Sequence, residues 1–134
     1  MFLAQLSHPQ KVAFLQLAHE IVLVDDGKID EFEGNMLSLM AKEAEIPFDE
    51  IQEKGFDFDE AASKFNDILS KNICLLELIG IAYSNREFHE NQKDFVGKLA
   101  KIFGFDETHV SDLHNWVVAM LNLYDKVQEL IQKG

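Results

Sequence analysis

Cysteine, proline, glycine and basic charge are all scarce in this chain of 134 residues, and each scarcity excludes something. Cys74 is the single cysteine, so an internal disulfide is excluded and a reducing, cytoplasmic setting is expected. Two prolines and seven glycines leave long uninterrupted segments, which favours long helices. No apolar run approaches the roughly 18 residues of a membrane span, and the N-terminus lacks the basic region of a secretory signal. We therefore expect no direct membrane insertion.

The shortage of basic residues gives the chain a strongly negative charge. Twelve lysines and arginines stand against 24 aspartates and glutamates, for a formal net charge of −12. Such a surface repels nucleic-acid backbones and anionic lipid, so we predict no nucleic-acid partner. Cations or basic proteins are the electrostatically suitable ligands, although acidity alone also keeps a domain in solution.

Catalytic motifs are missing as well. The sequence contains no Gly-rich phosphate loop, no nucleophile elbow and no nucleophile with a nearby base. The histidines do not have zinc-ligand spacing, since His109 and His114 would face different sides of one helix. We predict that the protein is not an enzyme.

The apolar pattern indicates helices throughout. Val12–Val24 and Asn72–Tyr83 are apolar on nearly every face, so we expect both at the centre of a bundle. The other expected helices are a short one and four amphipathic ones: Phe48–Lys54, Asp30–Glu45, Asp59 to Leu69 or Ser70, His89–Phe103 and Asp106–Lys133. No strand-like alternation appears. The fold prediction is one all-α domain spanning residues 1–134, a compact bundle of about six to seven helices.

Capping residues and packing faces follow from the same pattern. Ser7 or His8 would cap the first helix, and Pro9 would be the first residue of that helix. Gly104 would end the expected helix His89–Phe103. Trp116 is expected to anchor the last helix. On the second helix the residues expected to point inward are Phe32, Met36, Leu37, Leu39 and Met40.

The two halves of the chain resemble each other. One gapless register sets Phe14 on Ile73, Ile29 on Phe88 and Met36 on Phe95. A register that fits both helices and the turn between them predicts a duplicated helical hairpin, with the two copies related by a pseudo-two-fold axis. The alternative is chance agreement between two helical patterns.

The segment Asp25–Glu33 carries five carboxylates in nine residues. Its later half resembles the calcium loop of an EF-hand, in which a glycine makes the bend and a final glutamate binds the ion. Val22 and Val24 occupy the positions of the first two ligands and have no side-chain oxygen, so we do not expect a true EF-hand.

Two interpretations of the acidic turn remain open. In the first, Asp30 and Glu33 form a capping box at the start of a helix. In the second, a divalent cation (Ca²⁺, Mg²⁺ or Mn²⁺) relieves the repulsion among Asp25, Asp26, Asp30 and Glu33, with Glu20 further back. The corresponding turn in the second half of the chain is less acidic, and the residues that would contribute from it are Asn85, Glu87, His89 and Glu90.

The apolar first helix, the turn VDDGKIDEFE and a second hairpin with a related turn together resemble the TerB-like (tellurite-resistance) helical domains. The resemblance covers the chain from Val12 to the last helix. It implies a bundle of about seven helices, a divalent cation held by acidic turn residues, and a role in tellurite or other chemical-stress responses. Asp25, Asp26, Asp30 and Glu33 match the family's first motif, whereas the second turn departs from the acidic pattern.

Two functional hypotheses follow. The first is a TerB-like stress-response domain that binds a divalent cation or acts through its acidic surface. The alternative is a metal-free protein–protein interaction module whose grooves hold a helix of an unknown protein partner, and a homodimer is a further option.

Overall fold

Seven α-helices and no strand make up the part of the chain that the structure describes, which is residues 1–52, 55–84 and 87–134 of a computed structural model. The all-α prediction is therefore confirmed. A short 3₁₀ helix, Leu3–Gln5, comes first. The α-helices are α1 (His8–Asp26), α2 (Glu31–Ala44), α3 (Phe48–Gln52), α4 (Phe58–Ser63), α5 (Ile68–Ala82), α6 (Glu90–Phe103) and α7 (Glu107–Ile131).

Two apolar helices form the centre of the bundle, as their sequences predict. Helix α1 contacts α2, α3, α4, α5 and α6, and α5 contacts α1, α6 and α7. The largest wholly buried side chains of the two are Phe14, Leu15, Leu17 and Ile21 on α1 and Leu75, Leu78 and Ile79 on α5. Helices covered on several sides need apolar residues on several sides, which explains why neither is clearly amphipathic. Within the described residues, no helix combines the length and the apolar character needed to cross a bilayer.

Local hydrogen bonds fix most helix ends where the sequence predicts them. Ser7 caps α1 through a reciprocal pair of bonds with Gln10, and Pro9 is the second helical residue rather than the first. Asp106 caps α7 by accepting from the backbone N–H of His109 at 2.8 Å. Gly104 ends α6 with φ of 80°, a left-handed conformation that glycine adopts without strain.

The prediction of one helix from Asp59 to Leu69 or Ser70 is wrong. Asp57, not Asp59, caps α4, which already ends at Ser63. A second cap, Asp67, accepts from the backbone N–H of Ser70 and starts α5, four residues before the predicted Asn72. Phe65, in the connection between the two helices, enters the core against Phe103, with ring centroids 5.8 Å apart. The predicted short helix ran to Lys54, and positions 53 and 54 lie outside the described residues.

The prediction for α2 is also partly wrong. Only Leu37, Ala41 and Ala44 of this helix are buried, because α2 rests on α1 along one narrow stripe. Phe32 and Leu39, which were expected to point inward, are 58% and 68% exposed. Their exposure places a row of apolar side chains on the outer surface of the bundle.

Candidate functional site

The acidic turn begins inside α1 rather than after it. Asp25 and Asp26 are the last two residues of α1, and Gly27 ends the helix with φ of 75°. The Asp26 Oδ1 atom accepts a hydrogen bond from the backbone N–H of Lys28 at 2.9 Å. Asp26 therefore closes the turn through its own side chain, a common role for aspartate at such positions.

Asp30 and Glu33 form the expected capping box. The backbone N–H of Glu33 donates to Asp30 Oδ1 at 2.8 Å, and the backbone N–H of Asp30 donates to Glu33 Oε1 at 3.1 Å. The capping interpretation is thus confirmed. One oxygen of each carboxylate is used by the backbone.

The carboxylates of the turn lie close enough to affect each other's ionisation. Partial burial raises the pKa of Glu33 first, and the negative charges of Asp30 and Asp26 raise it further. Asp26, Asp30 and Glu33 therefore form a small region of negative potential at the N-terminal end of α2.

Asp25 is directed elsewhere, towards the start of α6. Its Oδ2 atom lies 3.6 Å from His89 Nε2, which is also 3.4 Å from a carboxylate oxygen of Glu87. The same junction is held by Asn91, which donates to the carbonyl of Val24 at 3.1 Å. These contacts join the end of α1 to the start of α6.

The predicted metal ligands are only partly brought together. Of the four carboxylates, Asp26, Asp30 and Glu33 are neighbours and Asp25 pairs with His89. In residues 1–52, 55–84 and 87–134, no three or more His, Cys, Asp or Glu side chains are arranged to hold a metal ion. Asn85, a further predicted contributor, lies outside the described residues, and Glu90 is an exposed first residue of α6.

A second site, which the sequence did not predict, is a groove between α2, α5 and α7. Its volume is about 220 Å³, and the floor includes Leu76, Gly80 and Ile81 of α5. The remaining lining contains all four methionines of the chain: Met1, Met36, Met40 and Met120. We call this the methionine groove. An adjoining hollow of about 320 Å³ continues it across α2 to Phe32 and Leu39.

The open side of the methionine groove is apolar and aromatic. Trp116 of α7, which is 44% exposed, lies at the margin with its ring centroid 6.3 Å from that of Phe2. Trp116 therefore anchors α7 only in part, and the rest of its indole is available. Beyond Trp116, α7 continues with apolar side chains that the bundle leaves exposed: Leu123, Tyr124, Val127, Leu130 and Ile131.

One end of the methionine groove is charged. The N-terminal ammonium of Met1 binds Glu43 at 2.9 Å and Glu77 at 3.3 Å, and Glu77 is 8% exposed. Burial alone lowers the pKa of this ammonium, but its hydrogen bond to Glu43 and the charges of both carboxylates outweigh that effect and raise it. Two carboxylates at this end of the groove thus already hold one cationic group.

The methionine groove has the properties of a surface that accommodates an apolar ligand. Methionine side chains are unbranched and polarisable, so a surface rich in them adjusts its shape to what it binds. Sequence reasoning missed the groove because its methionines come from three distant segments, and no local pattern relates Met36 to Met120.

Comparison with known proteins gives no family: no family model, no curated protein and no solved structure matches the chain. The similarity to TerB-like domains is therefore carried by the sequence features alone.

Proposed function

We propose that this chain is a protein–protein interaction module that holds an amphipathic helix of a partner in the methionine groove. The observation that carries the proposal is that all four methionines of the chain line one groove. If the methionines did not share a function, we would expect them to be distributed between the core and separate parts of the surface. Their concentration beside exposed Phe32, Leu39 and Trp116 supports an adaptable apolar binding surface.

The shape of the methionine groove favours a helical ligand. Helices α2 and α7 form its two sides, and both carry their apolar side chains at helical spacing, as in Phe32, Met36 and Leu39. A third amphipathic helix that lies between them would place residues i, i+3, i+4 and i+7 against both sides, which is a recurring mode of peptide recognition.

Charge suggests the chemistry of the partner. The chain has a net charge of −12, and α2 carries Glu31 and Glu33 in its first turn and Glu43 in the lining of the methionine groove. A partner helix with an apolar face and lysine or arginine at its edges would be attracted during approach and oriented on arrival. We therefore expect a basic amphipathic segment and not an acidic one.

The test uses the methionines as reporters. Methyl-¹³C methionine labelling gives one signal for each of the four methionines, and all four lie in the groove. The probe is a synthetic helical peptide with leucines at i, i+3, i+4 and i+7 and lysines elsewhere, and the control is the same composition in scrambled order. We expect saturable shifts of the groove methyl signals with the amphipathic peptide and none with the scrambled one.

A pair of variants makes this test specific. Leu39→Lys removes an exposed apolar side chain beside the methionine groove, and we expect roughly tenfold weaker peptide binding or more, from the loss of about 1.5 kcal/mol of burial. Ile102→Lys, at a 46% exposed position on α6, is the matched control and should leave binding unchanged. Unshifted methyl signals, or equal effects of the two substitutions, would refute the proposal.

A second candidate is the function that the resemblance to TerB-like domains implies, divalent-cation binding in a cytoplasmic stress response. The observation that favours it is the closeness of Asp30 and Asp26 to Glu33: burial is the first cause that raises the pKa of Glu33, and the charges of these two aspartates raise it further. A cation between these carboxylates would relieve that repulsion, and their second oxygens would be the ligands.

Calorimetric titration with Ca²⁺, Mg²⁺ and Mn²⁺ tests the second candidate. We expect binding to the wild-type chain that is lost in the double variant Asp26→Asn with Glu33→Gln. Binding should also lower the pKa of Glu33, since a bound cation favours the ionised carboxylate. Absence of both heat and a cation-dependent melting shift would exclude the cation candidate.

A further inference from the structure

The second half of α7 is a helix whose apolar side has no covering within the described chain. From position 122 to the end, every residue except Gln128 is exposed. Among them Leu123 and Ile131 reach 68% and 71% exposure. Helix α7 has 25 residues, a length of about 37 Å. Its apolar side therefore continues well past Val117, its one buried residue.

The spacing of these residues is that of a helix that pairs with another helix. The apolar positions alternate in steps of four and three along α7, at Trp116, Met120, Leu123, Val127 and Leu130. This is the a/d spacing of a coiled-coil seam. Tyr124 follows Leu123 and Ile131 follows Leu130, and these two exposed residues widen the stripe along the line of α7 that holds Val117. We call this set the α7 stripe.

Charge along this part of α7 suits a second copy of the same chain. Two strongly acidic molecules repel each other over most of their surface, because each carries −12. Along this exposed end of α7, however, Asp125 and Glu129 on the far side of the helix are balanced by Lys126 and Lys133, which flank the α7 stripe. Two copies can therefore approach at this place without the repulsion that the rest of the surface imposes.

We infer that two copies of this chain pair through their α7 stripes in an antiparallel arrangement. Leu123 of each copy then meets Met120 of the other, and Val127 meets Trp116, so every apolar position of the seam has an apolar neighbour. Such a two-fold contact is isologous, the commonest form of dimer.

The flanking charges favour the antiparallel orientation over the parallel one. Asp112 and Lys133 occupy equivalent flanking positions of the heptad, before Leu113 and after Leu130. Antiparallel pairing brings Asp112 of one copy beside Lys133 of the other at both ends of the seam. Parallel pairing would instead place Asp112 beside Val117 and Lys126 beside Ile131, where neither charge gains a partner.

The dimer seam shares Trp116 and Met120 with the methionine groove, and its other residues, Leu123, Val127 and Leu130, do not line that groove. The seam at these two residues would be shared between a second copy and a partner helix. Dimerisation and peptide binding should therefore oppose each other, so that adding the amphipathic leucine–lysine peptide lowers the average mass.

Sedimentation and light scattering over a hundredfold range of concentration test the dimer. We expect the mass to rise from 15.3 kDa towards twice that value. Leu123→Glu should weaken the association at least tenfold, because it places a charge at the centre of the seam. Asn122→Glu adds the same charge at an exposed neighbouring position on another side of α7 and should leave the association unchanged. Circular dichroism shows whether both variants remain folded.

Spin labels test the orientation. Cys74 is wholly buried and remains unlabelled, so a cysteine placed at Gln132 or Asn122 carries the only label in each copy and leaves Asp112 and Lys133 in place. In the antiparallel dimer two labels at 132 are about 32 Å apart along the helix axis and two at 122 are much closer. Short distances at both positions indicate parallel pairing and overturn the proposal.

The remaining outcomes separate this proposal from the proposed function. A chain that stays monomeric at every concentration overturns the dimer, even where it binds the peptide. If Leu123→Glu then weakens peptide binding, the α7 stripe belongs to the partner site. A chain that forms the dimer, and whose methionine signals do not shift with peptide even at concentrations where it is monomeric, supports the dimer and refutes the proposed function.

Discussion

Replacement of Asp30 by alanine separates the two roles available to the acidic turn. Asp30 accepts from the backbone N–H of Glu33 at 2.8 Å and so caps α2, but it is also one of the carboxylates that would hold a cation. Serine at the same position retains a cap oxygen and removes the charge. Alanine removes both. The two variants therefore test capping and charge independently.

The expected loss follows from the geometry of the cap. Loss of a good N-cap aspartate costs about 1 kcal/mol of folding free energy. We add nothing for its charge, because Asp30 is exposed and solvent screens its interaction with the helix dipole. For a chain of 134 residues, 1 kcal/mol lowers Tm by about 4 °C. Asp30→Ser should lose only a few tenths of that free energy.

Thermal unfolding followed by circular dichroism measures both variants, in buffer with a chelator and in the same buffer with Mg²⁺ or Ca²⁺. Capping predicts that Asp30→Ala is destabilised equally in the two buffers and that Asp30→Ser is nearly wild type. Helix α2 has only three buried side chains, so the cap is a large share of what holds its N-terminal turn.

A capping role for Asp30 would be contradicted if Asp30→Ala melted at the wild-type temperature. It would also be contradicted if Asp30→Ser lost as much stability as Asp30→Ala in the presence of chelator. A loss that appears only when a divalent cation is present would show that the carboxylate acts through the metal, and it would favour the second candidate function.

Three further predictions concern residues away from the acidic turn. Burial raises the pKa of the Cys74 thiol well above its usual value, so a thiol reagent should react with it only in denaturant, and fast labelling of the native chain would contradict that burial. Burial and then the charge of Lys93 lower the pKa of His114. The unfolded chain therefore takes up a proton at this histidine before the folded chain does, as pH falls below about 6.5. The free energy of unfolding measured in urea should decrease in that pH range. His114→Gln should flatten that pH dependence, and an unchanged slope would assign it to other groups. Gly27→Ala should cost about 1 kcal/mol in thermal unfolding, because alanine is strained at φ of 75°, and an unaltered Tm would argue against this backbone conformation.

Sequence reasoning succeeded where a structure depends on residues that are near each other in the chain. Ser7, Asp30 and Asp106 each cap a helix by accepting a hydrogen bond from the backbone N–H three residues later. Gly104 ends a helix through the left-handed conformation of its own backbone. Each of these choices needs only a side chain and the adjacent turn. The signals were therefore complete in the local sequence.

The choice between Asp57 and Asp59 shows where local information ran out. Two aspartates, each able to cap a helix, stand two residues apart. The helix begins at Phe58, whose ring lies 5.1 Å from that of Phe95 on α6 and under the ammonium of Lys98 at 4.1 Å. Contacts with a helix more than thirty residues away accompany the choice of Asp57, and no window of sequence contains them.

The sequence by itself determined that the chain is helical, that two apolar helices form its centre, and that Asp30 with Glu33 starts α2. Periodicity and caps are local properties, so they can be read before folding. The tertiary structure alone decided which faces stay uncovered. Leu37 and Leu39 are both leucines of one helix, yet Leu37 is 3% exposed and Leu39 is 68% exposed. The difference arises because burial depends on whether another surface packs against the side chain and not on the residue type. The methionine groove and the α7 stripe, which carry both proposals, come from that pairing.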